Sequence, residues 1–209
     1  NGWQPAGRTV VLVGADDEYR SEITMPLIAD CLRTDAKATA HVAFAADPTT
    51  HAADPDNRTH IEGLDRLARA DVAVFFMRWR ELDSSSMEDL RRCFASGQPI
   101  VGLRTSTHML RAPAAADGSE SPLNNEWPVR IWGQRWISHH GHESRTRVLR
   151  PEGPAAAHPI LRGIAGDIVV PSWLYDVTPL PADCTVLLWG EVVGGAEKSP
   201  TRQPIRQPI

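Results

Sequence analysis

Apolar positions in the first hundred residues alternate between two periods. Residues 9–13, Thr-Val-Val-Leu-Val, form a short β-branched run bounded by Gly7 and Gly14, the pattern of a strand buried on both faces. Over residues 21–32 the spacing turns helical, with Ile23, Leu27, Ile28 and Cys31 on one face. Ser21 is placed to cap this helix, and Pro26 inside it predicts a kink or a later start. Residues 40–45 read as a second strand, and residues 47–58, with two prolines and three aspartates, as a surface loop. A short helix is predicted over 61–70, with Ile61, Leu64 and Leu67 on one side. Residues 71–77, Asp-Val-Ala-Val-Phe-Phe-Met, are the clearest strand in the chain. Asp83 or Ser84 caps the next helix, which turns Met87, Leu90 and Phe94 inward and ends at Gly97. A buried strand follows over 99–103.

This alternation predicts an α/β fold: a doubly wound, mostly parallel sheet with right-handed crossovers and helices on both faces. Three strands end in polar clusters, at residues 16–20, 78–81 and 104–108. On a parallel sheet such ends lie at one edge, where open α/β sheets bind their ligands; the competing reading is three solvated loops. The second half changes character. Residues 112–122 read as a loop or lid, and residues 127–142 are rich in tryptophan and histidine. Strands are predicted at 146–149, 169–177 and 185–193, with a turn and short helix at 158–164. This strand- and loop-rich half is expected to belong to the same single domain, 1–209.

Composition narrows the function classes. The net charge of −4 over 209 residues gives no global field toward nucleic acid or an anionic membrane. No apolar run approaches the ~18 residues of a membrane helix, so a soluble protein is expected, with cytoplasmic and periplasmic placement both open. Cys31, Cys93 and Cys184 are widely spaced, with neither zinc spacing nor a disulfide framework; buried reduced thiols are expected.

Several side chains are candidates for chemistry. His139, His140 and His142 are dense enough to consider a divalent metal such as zinc, with His108 and Glu18 as partners from the strand ends. Residues 139 and 140 would point apart on a strand, and loop-capping histidines are the alternative. Arg20, Arg78 and Arg104 fit a cationic site for a carboxylate or polarised carbonyl, or salt bridges to Asp17, Glu18, Glu22 and Glu81. Trp79, Trp132 and Trp136 offer faces for a sugar ring, or core packing. Thr105 and Ser106 would need an adjacent base to act as nucleophiles. His108 lies only two residues from Ser106 and no third orienting group is evident, which argues against a triad. His158, before Pro159, reads as a turn residue.

Five segments together resemble the ThuA-like (trehalose utilisation) family: Gly-Ala-Asp-Asp-Glu-Tyr-Arg-Ser-Glu at 14–22, Gly-Gln-Pro-Ile-Val-Gly-Leu-Arg-Thr-Ser-Thr-His at 97–108, Gly-Gln-Arg-Trp-Ile-Ser-His-His-Gly-His at 133–142, His-Pro-Ile-Leu-Arg-Gly-Ile at 158–164 and Trp-Leu-Tyr at 173–175. The resemblance implies a flavodoxin-type fold like that of class I glutamine amidotransferases, and a link to carbohydrate metabolism, notably disaccharides oxidised at the 3-position. Amidotransferase relatives place a cysteine at a Gly-x-Cys-x-Gly elbow; here Gly102-Leu103-Arg104-Thr105-Ser106 takes that place. Without a thiol no thioester forms on glutamine, and Cys93, in the preceding helix, cannot stand in. The tail over 199–209 is expected to be extended and to stop before the family's last strand. Two functions follow. One is a hydrolase or lyase acting on a small-molecule sugar or keto-sugar glycoside. Glu18 and His108 would be its acid and base, and Arg104 or a metal would stabilise negative charge. Tyr19, Arg20, Arg78, Trp79, Thr105, Ser106, Trp136 and His140 would contact the sugar. The other is a non-catalytic carbohydrate-binding or protein-interaction domain, and a homo-oligomer is open to both. The enzyme reading predicts that Glu18, Arg104 and His108 converge within hydrogen-bond reach.

Overall fold

The β-branched run near the amino terminus is the middle of a five-stranded sheet in the computed structural model, which describes residues 6–140, 142–164, 168–194 and 204–209. Two compact units make up the chain, one ending at Trp132 and the other beginning at Gly133. In the first, β1 (Thr9–Ala15) pairs in parallel with β2 (Thr39–Ala45) on one side. On the other side it pairs in parallel with β4 (Val72–Met77). The two-residue β3 (Ile61–Glu62) adds antiparallel to β2, and β5 (Ile100–Gly102) adds in parallel to β4. The order is β3-β2-β1-β4-β5, so the chain reverses its direction across the sheet between β1 and β4.

Alternation along β1 feeds two cores. Val10 and Leu12, with Phe76, pack on Met25 and Ala29 of α1 (Ser21–Thr34). Val11 and Val13, with Phe75, pack on Leu64 and Leu67 of a 3-10 helix (Leu64–Arg69) and on Met87 and Leu90 of α2 (Ser84–Ala95). Trp127 and Trp132 of α3 (Pro122–Trp132) close the second core. The expected mixed α/β unit, with a mostly parallel sheet and helices on both faces, is what forms. The Asp83 carboxylate caps α2 by accepting from the Ser86 amide at 2.8 Å, and Gly97 follows at φ 75°.

Other elements depart from the sequence pattern. On α1 the buried face is Ser21, Met25 and Ala29, while Ile23, Leu27 and Cys31 are exposed. The turn before the helix sets this rotation: the Asp16 amide donates to the Ser21 hydroxyl at 2.9 Å, and that hydroxyl donates back to the Asp16 carbonyl at 3.2 Å. Ser21 is thus the first helical residue, Arg20 takes the cap position, and the helix continues through Pro26. The helix predicted over 61–70 is cut by Gly63 at φ 79°, which leaves Ile61 to pair with Ala45 as strand. β5 is a sheet edge with Val101 exposed, not a strand buried on both faces. A Cβ at Gly102 would lie 2.8 Å from the Trp132 ring. Gly102→Ala is therefore expected to cost about 1–3 kcal/mol, read as a lower urea midpoint; an unchanged midpoint would show that the indole yields freely. Of the three thiols only Cys93 is buried, its pKa pushed up to about 11 by that burial. Cys31 and Cys184 are exposed, against expectation.

The second unit is antiparallel. β7 (Arg145–Leu149) lies between β8 (Ile168–Val170) and β10 (Trp189–Val193), and β11 (Arg206–Pro208) borders β10. β6 (Ser138–His140) and β9 (Leu174–Asp176) form a separate ribbon. The strand predicted over 169–177 is divided between the two sheets by bends at Pro171 and Ser172, and the one over 185–193 is shortened to 189–193. Residues 199–203 of the tail and Gly141 of the histidine-rich segment lie outside the described residues. Among the described residues no helix is long and apolar enough to cross a membrane.

Candidate functional site at the strand ends

The carboxyl ends of β1 and β4 flank the point where strand order reverses, the position at which open α/β sheets form a ligand crevice. Asp16 organises it. Its carboxylate is fully buried; one oxygen accepts from the amides of Glu18 at 2.8 Å and Tyr19 at 2.6 Å, the other from the Thr105 hydroxyl at 2.5 Å. This fastens the loop after β1 to the 3-10 turn Arg104–His108 that follows β5. The Ser106 hydroxyl bonds to the Phe75 carbonyl at 2.8 Å. Thr105 and Ser106, expected to face a sugar, therefore bond within the fold. Beyond the turn the chain runs beside residues 78–80: the Trp79 amide donates to the His108 carbonyl at 3.0 Å, and the Arg80 amide to that of Met109 at 2.8 Å. His108 is thereby held against Trp79, with ring centroids 5.4 Å apart.

Three side chains here leave left-handed backbone: Arg20 at φ 57°, Trp79 at φ 45° and Arg104 at φ 40°. Such geometry costs a non-glycine residue on the order of 1–3 kcal/mol and persists where surrounding contacts enforce it. At Arg104 it forms a strand-to-helix elbow whose apex carries a guanidinium instead of a nucleophile.

Alternating charges line this edge. Asp17 pairs with Arg78 at 2.9 Å, Arg58 at 3.4 Å and Arg80 at 3.5 Å. Burial pushes the Asp17 carboxyl pKa up, but the Arg78 hydrogen bond and the Arg80 charge outweigh it and hold it below the usual range. Glu18, half exposed, pairs with Arg78 at 3.0 Å. The Arg78 guanidinium lies 3.9 Å over the Trp79 ring. Arg104 donates to the Tyr19 hydroxyl at 2.9 Å and lies over its ring at 4.6 Å. His108 is 9% exposed, and burial, followed by the charges of Arg78 and Arg104, lowers its pKa to about 4 against the smaller pull of Asp17. The ring is neutral at neutral pH. Arg78 pairs with Glu18, and its charge acts together with that of Arg104 on the His108 ring.

Other candidates sit elsewhere. The Arg20 side chain is largely exposed and pairs with Glu22 at 2.8 Å. Trp132 belongs to the core, and the His158 ring accepts from the Ile160 amide as a turn residue. Trp136, His139 and His140 lie in the second unit. His139 stacks on Trp173 at 4.8 Å and 7° and lies 4.8 Å from the His142 ring. His140 is opposite Leu174 on the adjacent strand position. Among the described residues no group of three or more His, Cys, Asp or Glu is placed to hold a metal ion. Sequence reasoning passed over Asp16 and Arg80. Asp16 had a faint signal, an aspartate ending a strand two residues before a turn amide. Arg80 had none beyond its place in the charged run after β4, although it and Arg78 both reach Asp17.

These features define an α/β protein with a polar cluster at the switch point of its sheet and an antiparallel second unit. The same fold occurs in the crystal structure of a protein from Bacteroides uniformis described as ThuA-like. It aligns with a TM-score of 0.56 over 92% of this chain and 71% of that one, at 13% identity, a likeness of fold alone. Neither a family model nor a curated protein matches the sequence.

Proposed function

We propose that the chain is a ThuA-like protein of carbohydrate metabolism whose strand-end crevice acts on a keto-sugar glycoside as a lyase. Setting aside antiparallel β3, the parallel strands follow the flavodoxin order, second-first-third-fourth, which supports the flavodoxin-like, amidotransferase-like class. What supports the reaction is the placement of His108, buried against Trp79 and kept neutral by that burial and by the charges of Arg78 and Arg104. A neutral imidazole can take the proton from the carbon beside a ketone. The electron pair then forms an enolate, whose oxygen the guanidiniums stabilise. Its negative charge also offsets the Arg78 and Arg104 charges, which add to burial in keeping the imidazole neutral. Collapse of the enolate expels the glycosidic oxygen β to the carbonyl, and His108 returns its proton to that oxygen. Hydrolysis by paired carboxylates is less well supported. It needs a carboxylic acid with a raised pKa, whereas Asp17 is shifted downward and Glu18 is paired with Arg78. Arg104 at the elbow and Cys93 buried in α2 argue against amidotransferase chemistry.

A non-catalytic carbohydrate-binding domain is favoured by one observation. With the hydroxyls of Thr105 and Ser106 engaged inside the fold, the rim offers mainly aromatic and guanidinium surfaces.

The test is incubation with a 3-keto disaccharide in D2O, followed by NMR, with the unoxidised disaccharide as control. Elimination and exchange of the proton beside the ketone are expected, both falling about 10²–10⁴-fold in His108→Gln. Binding with neither exchange nor elimination would end the lyase reading and leave the binding domain.

A further inference from the structure

A cleft of about 380 Å³ opens in the first unit where the last turn of α2, the start of β5 and α3 meet. Its lining places Ile100 at the amino end of β5, the opposite end of that strand from the elbow at Arg104. The floor and walls are apolar and aromatic: Phe94, Ile100, Leu123, Trp127 and Ile131. Phe94 and Trp127 meet edge to face, with centroids 5.4 Å apart and rings at 87°. Two cations line it, Arg91 from α2 and Arg130 from α3, and both are exposed. Neither guanidinium has an ion pair or hydrogen bond among the described residues, although the neighbouring Arg92 pairs with Glu88 and Asp89.

A concave aromatic floor with two unengaged guanidinium forks has a definite chemical complement. The volume falls within the range of about 300–1,000 Å³ found for small-molecule sites, which are mostly apolar with a few polar groups fixing orientation. An arginine fork matches the planar geometry of a carboxylate, and two of them compensate a charge that the apolar floor would otherwise desolvate. We propose that this cleft is a second binding site, separate from the strand-end crevice, for a small carboxylate with an apolar body, such as an aryl or short acyl acid. The body lies on Phe94 and Trp127, and the carboxylate is held by Arg91 and Arg130.

Calorimetric titration of the full chain with phenylacetate, and with phenylacetamide as the neutral isostere, tests this. Phenylacetate is expected to bind in the submillimolar to millimolar range, with the amide about tenfold weaker or worse. The double variant Arg91→Met/Arg130→Met should bring the acid down to the level of the amide. Arg104→Met should leave acid binding unchanged. Both replaced arginines are exposed, so the fold is expected to survive, and far-UV circular dichroism checks it. Four results would each overturn the proposal: equal affinity for acid and amide; no binding of either; acid binding that survives the double variant; or acid binding abolished by Arg104→Met, which would place the anion at the strand ends. Self-association abolished by the double variant, with no carboxylate bound, would instead make this face a contact between copies.

Discussion

Arg80→Met is expected to remove about 3–5 kcal/mol of stability, the scale for breaking one side of a buried ion pair, and so much of what a domain of this kind possesses. The Arg80 side chain is fully enclosed. Its guanidinium donates to the carbonyls of Arg78 at 2.7 Å, Pro55 at 2.9 Å and Asn57 at 2.7 Å, and lies 3.5 Å from Asp17. Burial, the main influence, lowers its pKa, opposed by the charges of Asp17 and Asp16. Methionine fills similar volume but leaves three carbonyls without a donor and Asp17 without one of its cations. The loop over residues 47–58, with no regular structure of its own, loses its anchor to β4. Lysine is also expected to fail, because a single ammonium cannot reach the same carbonyls in a planar fork. Urea unfolding of Arg80→Met and Arg80→Lys reads the effect. A wild-type midpoint in both would mean that water replaces the guanidinium and that Arg80 is not the anchor.

Acid should destabilise the fold through His108, and His108→Gln should blunt this. Well above pH 6.5 the ring is neutral in folded and unfolded chains alike and contributes no pH dependence. As the pH falls through 6.5 the unfolded chain binds a proton that the folded chain refuses until about pH 4. The unfolded state thus holds more protons across that window, and stability declines as pH decreases within it. The full loss below the window is on the order of 3 kcal/mol. Asp17, with its lowered folded pKa, acts in the same direction but further into acid, below the usual carboxylate range. Unfolding free energies at neutral pH and at about pH 4.5 should therefore differ more for the wild type than for His108→Gln. Parallel pH profiles would show that the ring titrates normally. The same neutrality places the acid limb of kcat/KM near pH 4 instead of 6.5 for any reaction that needs His108 as base.

Elements buried on both faces were the legible ones. β1 and β4 announce themselves because a central parallel strand has no solvent face on which to place polar residues. The polar runs after them were legible for the same reason, since a strand that ends abruptly in charge has left the sheet. The rotation of α1 was not legible, because its register is fixed by two hydrogen bonds between Ser21 and Asp16 and not by its apolar spacing. Leu27 and Ile23 therefore lie outside although the pattern placed them within. The break at Gly63 and the bend at Pro171 were local signals outweighed by runs of apolar residues on either side. Within the crevice, residue types could be read but their partners could not. A threonine and a serine beside a histidine suggest chemistry until the Asp16 carboxylate and the Phe75 carbonyl claim their hydroxyls. The electrostatic role of Arg78, paired to Asp17 and Glu18 and stacked on Trp79, depends on two segments distant in sequence meeting.

The left-handed backbone at Trp79 and Arg104 sets durability against aim. At both positions glycine would relieve the strain, so a search for thermostable variants has a reason to favour them. Every such gain would delete the indole or the guanidinium that the turn holds out, and would soften the turn itself. A hardier molecule selected by melting temperature alone would drift toward an empty crevice. Heat tolerance and ligand capture therefore have to be screened together in this protein.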